Sequence, residues 1–348
     1  MGVRLVPGVE WYVDRAAEAR GEPGIYSSFV AAVATALQAR GEAVDPAWLM
    51  GASGWAFRIV MQARMSACAT RVFDWPRVLP AGLHNAGWHC THVSRLWHED
   101  ELRAPRLAEA HAAIVAGIDA GTPAVAWDLL TPEWGLIIGY DDDGQAYDVL
   151  APNRSLVDPG EPLAARWGRA AWRGGRRPMR GRVPYAQLGQ RQIAILSVTV
   201  PGEPNGRPRA ESLLCALRMA VEHAEGKEWT KTPEYQLGLA AYAHWTRAVQ
   251  TQPARALGDA EYLAGHWAGA RCYARDFVAQ QCETCPQLEP AARAYEQVAD
   301  RLLTVWQAYN GERYPGESEQ EQLSDILFDA ARSEAAAIAY MRRCLPME

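Results

Sequence analysis

Three pieces of one stretch decide the fold of this chain: Gly121-Thr-Pro-Ala-Val-Ala-Trp-Asp128, Glu133-Trp-Gly-Leu-Ile-Ile-Gly-Tyr-Asp-Asp-Asp143 and Ala146-Tyr-Asp-Val-Leu-Ala-Pro-Asn153. Each piece is apolar, and each is bounded by glycine, proline, aspartate or asparagine, which favour turns. The pattern predicts three successive strands joined by tight turns. Strands joined in this way pair antiparallel, so we expect the stretch to form the centre of an antiparallel sheet.

Helices are predicted on the N-terminal side of this sheet. Ser27 and Ser28 precede the apolar run 29–37, and a hydroxyl residue directly ahead of such a run indicates a helix N-cap. Residues 101–120 carry apolar side chains at helical spacing and end at Gly121. This helix leads the chain into the central stretch.

The C-terminal part has a different pattern. Residues 193–200 predict a last strand, and residues 201–208 are rich in proline and glycine, which indicates a linker. From residue 209 onward the apolar period is helical and predicts about five helices. We therefore predict an α+β domain over residues 1–200, a linker over 201–208 and an all-α helical bundle over 209–348.

Composition limits the classes of function. The 348 residues are 49% hydrophobic and 22% charged, with a formal net charge of -6, which gives no global electrostatic reason to bind nucleic acid or an anionic membrane. No run of about 18 uncharged apolar residues occurs, and the start lacks a basic segment followed by an apolar run, so we expect a soluble cytoplasmic protein. The seven scattered cysteines are expected to be reduced, and no cofactor is expected.

Five potential metal ligands lie close together in the sequence: His84, His89, Cys90, His92 and His98. Imidazole and thiolate are the usual ligands of zinc. In a strand, however, neighbouring side chains point to opposite faces, so the group does not converge by local geometry. An edge strand without a metal is the favoured interpretation.

The segments Tyr26-Ser27-Ser28 at a helix start, Gly121-Thr-Pro123, Gly139-Tyr-Asp-Asp142 and the strand ending before Pro152 follow one another in this order. The order resembles the papain-like cysteine peptidase fold. Within that group, Leu49-Met-Gly-Ala-Ser-Gly-Trp-Ala-Phe-Arg58 and the C-terminal helices are similar to the family of the butirosin biosynthesis protein H N-terminal domain. The likeness covers about residues 20–200 and, more loosely, the bundle.

The resemblance implies a Cys-His-Asp/Asn apparatus for acyl transfer or peptide hydrolysis. The cysteine position falls on Ser27 and Ser28, the histidine position on Glu133 and Trp134, and the orienting position on Asn153. A carboxyl group with an ordinary pKa of about 4.3 is a poor base for a hydroxyl, and an indole cannot accept a proton. The family's apparatus is therefore predicted to be lost, and Glu133 alternatively reads as a surface turn.

Two functions follow from this interpretation. The first is a catalytically inactive protein that binds a small molecule or peptide between the first helix and the sheet. The residues predicted to line that cleft are Tyr26, Ser27, Ser28, Trp127, Asp128, Glu133 and Trp134. The second is an acyltransferase or amide hydrolase of secondary metabolism that uses Ser27 or Ser28 with a non-standard base, such as His84, His89, His92 or His98 brought over the helix start.

A basic segment is the second candidate interaction surface. Residues 154–182 contain eight arginines, and such a segment can dock an acidic carrier protein or simply face solvent. The oligomeric state is not predicted by any of these patterns.

Overall fold

A computed structural model describes residues 2–152, 178–228, 232–254, 259–310 and 314–346. Over these ranges the chain contains ten α-helices and nine β-strands, so the predicted α+β class is confirmed. None of the helices in this part of the chain combines the length and the apolar character that crossing a lipid bilayer requires.

Seven of the described strands form one antiparallel sheet. The nine strands are β1 (Val3–Leu5), β2 (Val60–Gln62), β3 (Trp88–Arg95), β4 (Ala124–Trp127), β5 (Trp134–Asp141), β6 (Ala146–Ala151), β7 (Met179–Pro184), β8 (Leu196–Pro204) and β9 (Tyr235–Leu237). The large sheet has the order β3-β8-β4-β5-β6-β7, with β1 paired to the end of β5. The remaining strands, β2 and β9, pair with each other.

The predicted central stretch forms three neighbouring antiparallel strands, which confirms that prediction. Trp127 lies opposite Trp134 in the β4–β5 pair, and Tyr140 lies opposite Tyr147 in the β5–β6 pair. The turn between β5 and β6 is held by the carboxylate of Asp141, which accepts a hydrogen bond from Gly144 N at 2.8 Å. Nearly every residue of β5 is buried, because the sheet is covered on both faces there.

The prediction of a linker over residues 201–208 is wrong for its first half. Residues 201–204 are the end of β8, where Pro201 lies opposite Cys90 and Pro204 opposite Trp88. Proline is tolerated here because β4 pairs with β8 only at Val198 and Thr199, so residues 201–204 pair with β3 alone, and that pairing is irregular between Trp88 and Cys90. Only residues 205–208 connect the sheet to the next helix.

The helices divide into two groups along the chain. They are α1 (Arg15–Ala19), α2 (Ser28–Ala39), α3 (Pro46–Ala52), α4 (Trp75–Asn85), α5 (Arg103–Asp119), α6 (Arg209–Ala224), α7 (Leu239–Thr251), α8 (Ala260–Gln281), α9 (Glu289–Tyr309) and α10 (Glu317–Arg343). The last five agree with the predicted number of bundle helices. The bundle is not all-α, however, since β9 lies between α6 and α7 and pairs with β2 of the N-terminal part.

The buried apolar side chains form one cluster that includes residues from both predicted domains. Helix α8 packs against α3 at Gly51, where an added Cβ would lie 2.0 Å from Cγ of Phe277. Only glycine permits this approach of the two helices. The boundary between two domains stays a prediction, but the two parts share a core.

Candidate functional site

The start of α2 brings two of the predicted site positions into contact. Ser27 caps the helix, because its hydroxyl accepts a hydrogen bond from Val30 N, as predicted. Ser28, the next residue, donates from Oγ to the carboxylate of Glu133, which lies 105 residues further along the chain. The same Oγ accepts a hydrogen bond of 3.3 Å from Trp134 N. The positions taken for a nucleophile and a base are therefore adjacent in space.

The turn between β4 and β5 directs Glu133 inward. Asp128 begins the turn with a φ of 54°, in the left-handed region, and its amide donates to the carbonyl of Glu133 at 2.9 Å. The Asp128 carboxylate accepts a 2.8 Å hydrogen bond from Gln192 N, and burial raises the pKa of this carboxyl group. Glu133 is 2% exposed, so the interpretation of this residue as a surface turn is wrong.

Arg71 is a partner of Glu133 that the sequence analysis missed. It ends a short 3-10 helix (Ala67–Arg71), and its guanidinium forms an ion pair with the Glu133 carboxylate. Burial opposes the charged form of Arg71, but the neighbouring carboxylate outweighs burial and raises the pKa of the guanidinium. The guanidinium also lies over the ring of Trp127, with 5.4 Å to the ring centroid. The buried charge of Glu133 is thus compensated.

Aromatic side chains surround this ion pair. The ring of Trp134 lies 4.6 Å from the rings of Trp75 and Trp127, and 5.8 Å from that of Phe29, measured between centroids. Trp134 is 3% exposed and Trp127 is 1% exposed. Side chains therefore fill the place where the sequence predicts a ligand cleft between α2 and the sheet.

The chemistry open to Ser28 follows from its partners. A hydroxyl that donates to an ionised carboxylate is oriented, but a carboxylate paired with a guanidinium has little tendency to take its proton. Both hydrogen bonds described for Ser28 Oγ go to Glu133 and Trp134, and neither partner is an imidazole. The arrangement gives a buried serine and a buried glutamate each a hydrogen-bond partner.

The histidines proposed as alternative bases lie elsewhere. His89 and His92 are on β3, which is separated from β5 by β8 and β4, three strand spacings or about 14 Å. His84 shares a hydrogen bond of 3.2 Å with the side chain of Asn205, and His98 is exposed beyond the end of β3. The hypothesis that one of them covers the start of α2 is wrong for this structure.

These histidines, together with Cys90, are also the residues predicted as metal ligands. The rings of His84 and His89 are 6.2 Å apart, and Cys90 is half-buried on the same strand. Within the described ranges, no three side chains of His, Cys, Asp or Glu converge as a metal site would require. His92 instead shares a hydrogen bond of 2.9 Å with Thr199 Oγ1.

His92 predicts a dependence of stability on pH. Burial lowers its pKa from 6.5 to about 4, so the folded state favours the neutral imidazole. Its contribution is present above pH 6.5, the value for the unfolded chain, and is lost as the pH falls from 6.5 towards 4. Between pH 7 and pH 4, we expect the wild type to lose up to roughly 3 kcal/mol of unfolding free energy that the His92→Gln variant does not lose.

Urea unfolding at the two pH values measures this difference. His89→Gln, at an exposed position of the same strand, is the matched control and should keep the wild-type pH dependence. Equal losses in the wild type and His92→Gln would contradict the prediction.

An open cavity lies beside the residues that lead into α2. Its volume is about 310 Å³, and Tyr26 is the one predicted cleft residue on its wall. The lining residues are Trp11, Tyr12, Val13, Asp14, Glu18, Gly21, Glu22, Pro23, Gly24, Ile25, Tyr26, Trp306 and Asn310. We refer to this space as the Trp11 cavity.

Asn153, the predicted orienting residue, lies outside the described residues, and so does most of the basic segment. Of the basic segment 154–182, the structure describes residues 178–182, where Arg182 pairs with Asp141 at 2.5 Å and Arg180 donates to Val9 O at 2.8 Å. These two arginines are engaged within the sheet region, and the docking of an acidic carrier stays a prediction.

Comparison with known proteins does not assign this chain to a family. No protein-family model matches this chain, and no curated protein is significantly similar to it.

Proposed function

We propose that this chain is a catalytically inactive protein of papain-like architecture that binds a small molecule or peptide. The observation that carries the proposal is the contact of Ser28 with a glutamate that is itself paired with Arg71. The start of α2 and the start of β5, to which the resemblance assigns the nucleophile and the base, meet at this contact, but they bring together a hydroxyl and a carboxylate paired with a guanidinium. That pairing supports the architecture and argues against nucleophilic chemistry.

The ligand would bind beside the position that the resemblance assigns to the nucleophile. Trp134 and Trp127 are packed into the core, so opening the predicted cleft would require these rings to move. The Trp11 cavity is open, and its wall includes Ile25 and Tyr26, the two residues directly before Ser27. A volume of about 310 Å³ lies within the usual range for small-molecule sites.

The second candidate is acyl transfer from an acidic carrier protein through Ser28. The observation that favours it is that Ser28 Oγ lies within hydrogen-bond reach of a carboxylate, as a nucleophile and its base must. The pairing of that carboxylate with Arg71 counts against it, because proton uptake would leave a buried guanidinium without its counter-charge.

A serine-reactive fluorophosphonate separates the two candidates. We expect no adduct on Ser27 or Ser28 by peptide mass spectrometry, while an active serine hydrolase mixed into the same reaction is labelled fully. The physical reason is that a hydroxyl without a competent base does not attack phosphorus at a useful rate. An adduct on Ser28 that disappears in Ser28→Ala would defeat the inactive-protein proposal and support acyl transfer.

A further inference from the structure

We propose that the Trp11 cavity binds an alkylated ammonium group, such as that of choline. This inference names the ligand class for the binding function proposed above and rests on it. Three features of the cavity support it: a negative charge, aromatic walls and the C-terminal end of a helix.

The cavity contains one carboxylate, that of Asp14, which forms no ion pair with any residue that the structure describes. Asp14 Oδ1 accepts from Ala16 N at 3.0 Å and Ala17 N at 3.1 Å, and Oδ2 accepts from the hydroxyl of Tyr273 at 2.8 Å. All three donors are neutral, and among the described residues no arginine, lysine or histidine forms an ion pair with Asp14. The hydrogen bonds hold the carboxylate in place and leave its negative charge for a ligand.

The other two carboxylates on the wall are already paired. Glu22 contacts Arg20 at 2.7 Å and Arg275 at 2.8 Å, and Glu18 contacts Arg15 at 2.8 Å. Both arginines beside Glu22 also contact Asp276, at 3.1 Å for Arg20 and 2.8 Å for Arg275, so each of these groups is close to neutral and Asp14 decides the sign of the local field. Burial first, and then Asp14 and Asp45, raise the pKa of the Tyr12 phenol on the same wall to about 12, as expected where negative charge is disfavoured.

The walls carry aromatic rings. Trp11, Tyr12 and Trp306 are half-buried side chains that line the cavity, and Tyr26 lies deeper on its wall. Faces of tryptophan and tyrosine attract cations, and quaternary ammonium groups are recognised by sets of such rings around a cation. An aromatic wall also favours the methyl groups of an alkylated ammonium over a strongly hydrated primary amine.

A helix end adds to the negative potential. Helix α9 ends at Tyr309, and both Trp306 in its last turn and Asn310 at its C-cap line the cavity. The C-terminal end of a helix carries a partial negative charge, which favours a cation nearby. Charge, walls and helix end therefore all select a positively charged ligand with an apolar surface.

Choline and 3,3-dimethylbutan-1-ol form a matched pair of probes, because they have the same shape and differ in charge. We expect calorimetric titration of the full chain to show choline binding at least about tenfold more tightly than the neutral alcohol.

Asp14→Asn should weaken choline binding about tenfold and leave binding of the alcohol unchanged. Asparagine is a good N-cap, so this variant keeps the cap of α1 and is expected to fold. Glu18→Gln, whose charge is paired with Arg15, is the control and should change choline binding less than about twofold.

Three results would overturn the inference: equal binding of the two probes, choline binding that is unchanged in Asp14→Asn, or no choline binding at all. Phosphatidylcholine vesicles distinguish the source of the ammonium group. If the protein sediments with the vesicles and Asp14→Asn does not, the ligand is a lipid headgroup. If the protein binds free choline but does not sediment, the ligand is soluble. Both results support the inference. Failure of the choline experiment leaves the serine labelling result unaffected, so the ligand class and the inactive-protein proposal fail separately.

Discussion

Replacing Glu334 with glutamine is expected to lower the free energy of unfolding by about 3–5 kcal/mol. Glu334 on α10 is 2% exposed and forms two contacts with Arg271 on α8, at 2.7 Å and 3.0 Å. Arg271 is completely buried and also donates to the carbonyls of Arg58 and Ala56. Burial opposes the guanidinium charge, but Glu334 outweighs burial and raises the pKa of Arg271. Glutamine would keep the shape and leave that charge uncompensated in the core.

Urea unfolding followed by circular dichroism measures this loss. Asp329→Asn lies on the same helix and removes an exposed pair with Arg332 of 3.7 Å, so it should cost less than about 0.5 kcal/mol. The double variant Arg271→Met with Glu334→Leu removes both charges and should recover most of the stability lost in Glu334→Gln. A loss below about 1 kcal/mol in Glu334→Gln would show that water or relaxation compensates Arg271.

Arg271 explains why the two parts of the chain share a core. Its guanidinium belongs to α8 of the bundle, yet two of its hydrogen bonds go to the backbone at residues 56–58, in the N-terminal part. The β2–β9 pair joins the same two parts through backbone hydrogen bonds. A buried charge and a strand pair therefore both fix the position of the bundle against the sheet.

Much of the fold could be predicted from the sequence because local signals are strong there. The turns around β4, β5 and β6 contain Gly121, Asp128 and Gly144, and Ser27 lies directly ahead of an apolar run. Helical periodicity also identified the five C-terminal helices. These features depend on residues near one another in sequence, which is why pattern reasoning finds them.

The remaining elements depend on long-range pairing. β2 and β9 have three residues each, too few for a periodic pattern, and each is a strand because the other lies beside it. Likewise, residues 201–204 look like a linker by composition, but pairing with β3 extends β8 through two prolines. Local composition could not reveal a partner that lies more than 100 residues away.

The residues of the candidate site could likewise be predicted only in part. The resemblance placed Ser28 and Glu133 opposite each other, and they are in contact. Arg71 was missed because it ends a five-residue 3-10 helix, too short for a periodic pattern, and its role appears only when the fold brings it to Glu133, 62 residues further along the chain. Trp134→Ala would remove a core ring, so a loss of ligand binding in that variant would report on folding as well.

Replacing Glu133 with alanine is the second change with a large expected effect, about 3–5 kcal/mol of unfolding free energy. It would leave the largely buried Arg71 guanidinium without its carboxylate and Ser28 Oγ without its acceptor. Ser28→Ala removes both hydrogen bonds of Ser28 Oγ, the one to Glu133 and the one from Trp134 N, and keeps the ion pair, so it should cost about 1–3 kcal/mol. Both variants are measured by urea unfolding at neutral pH, and Arg71→Met combined with Glu133→Gln should recover part of the loss in Glu133→Ala.

The sign of the Ser28→Ala effect distinguishes a structural serine from a catalytic one. Catalytic groups are commonly held at a cost in stability, so removing a nucleophile often leaves a protein as stable or more stable. Here the hydroxyl joins the start of α2 to the start of β5 through Glu133 and the amide of Trp134, and its loss removes one hydrogen bond from a buried carboxylate and one from a buried N–H. A Ser28→Ala variant more stable than the wild type would contradict this structural role and favour acyl transfer; a destabilised variant would support the structural role.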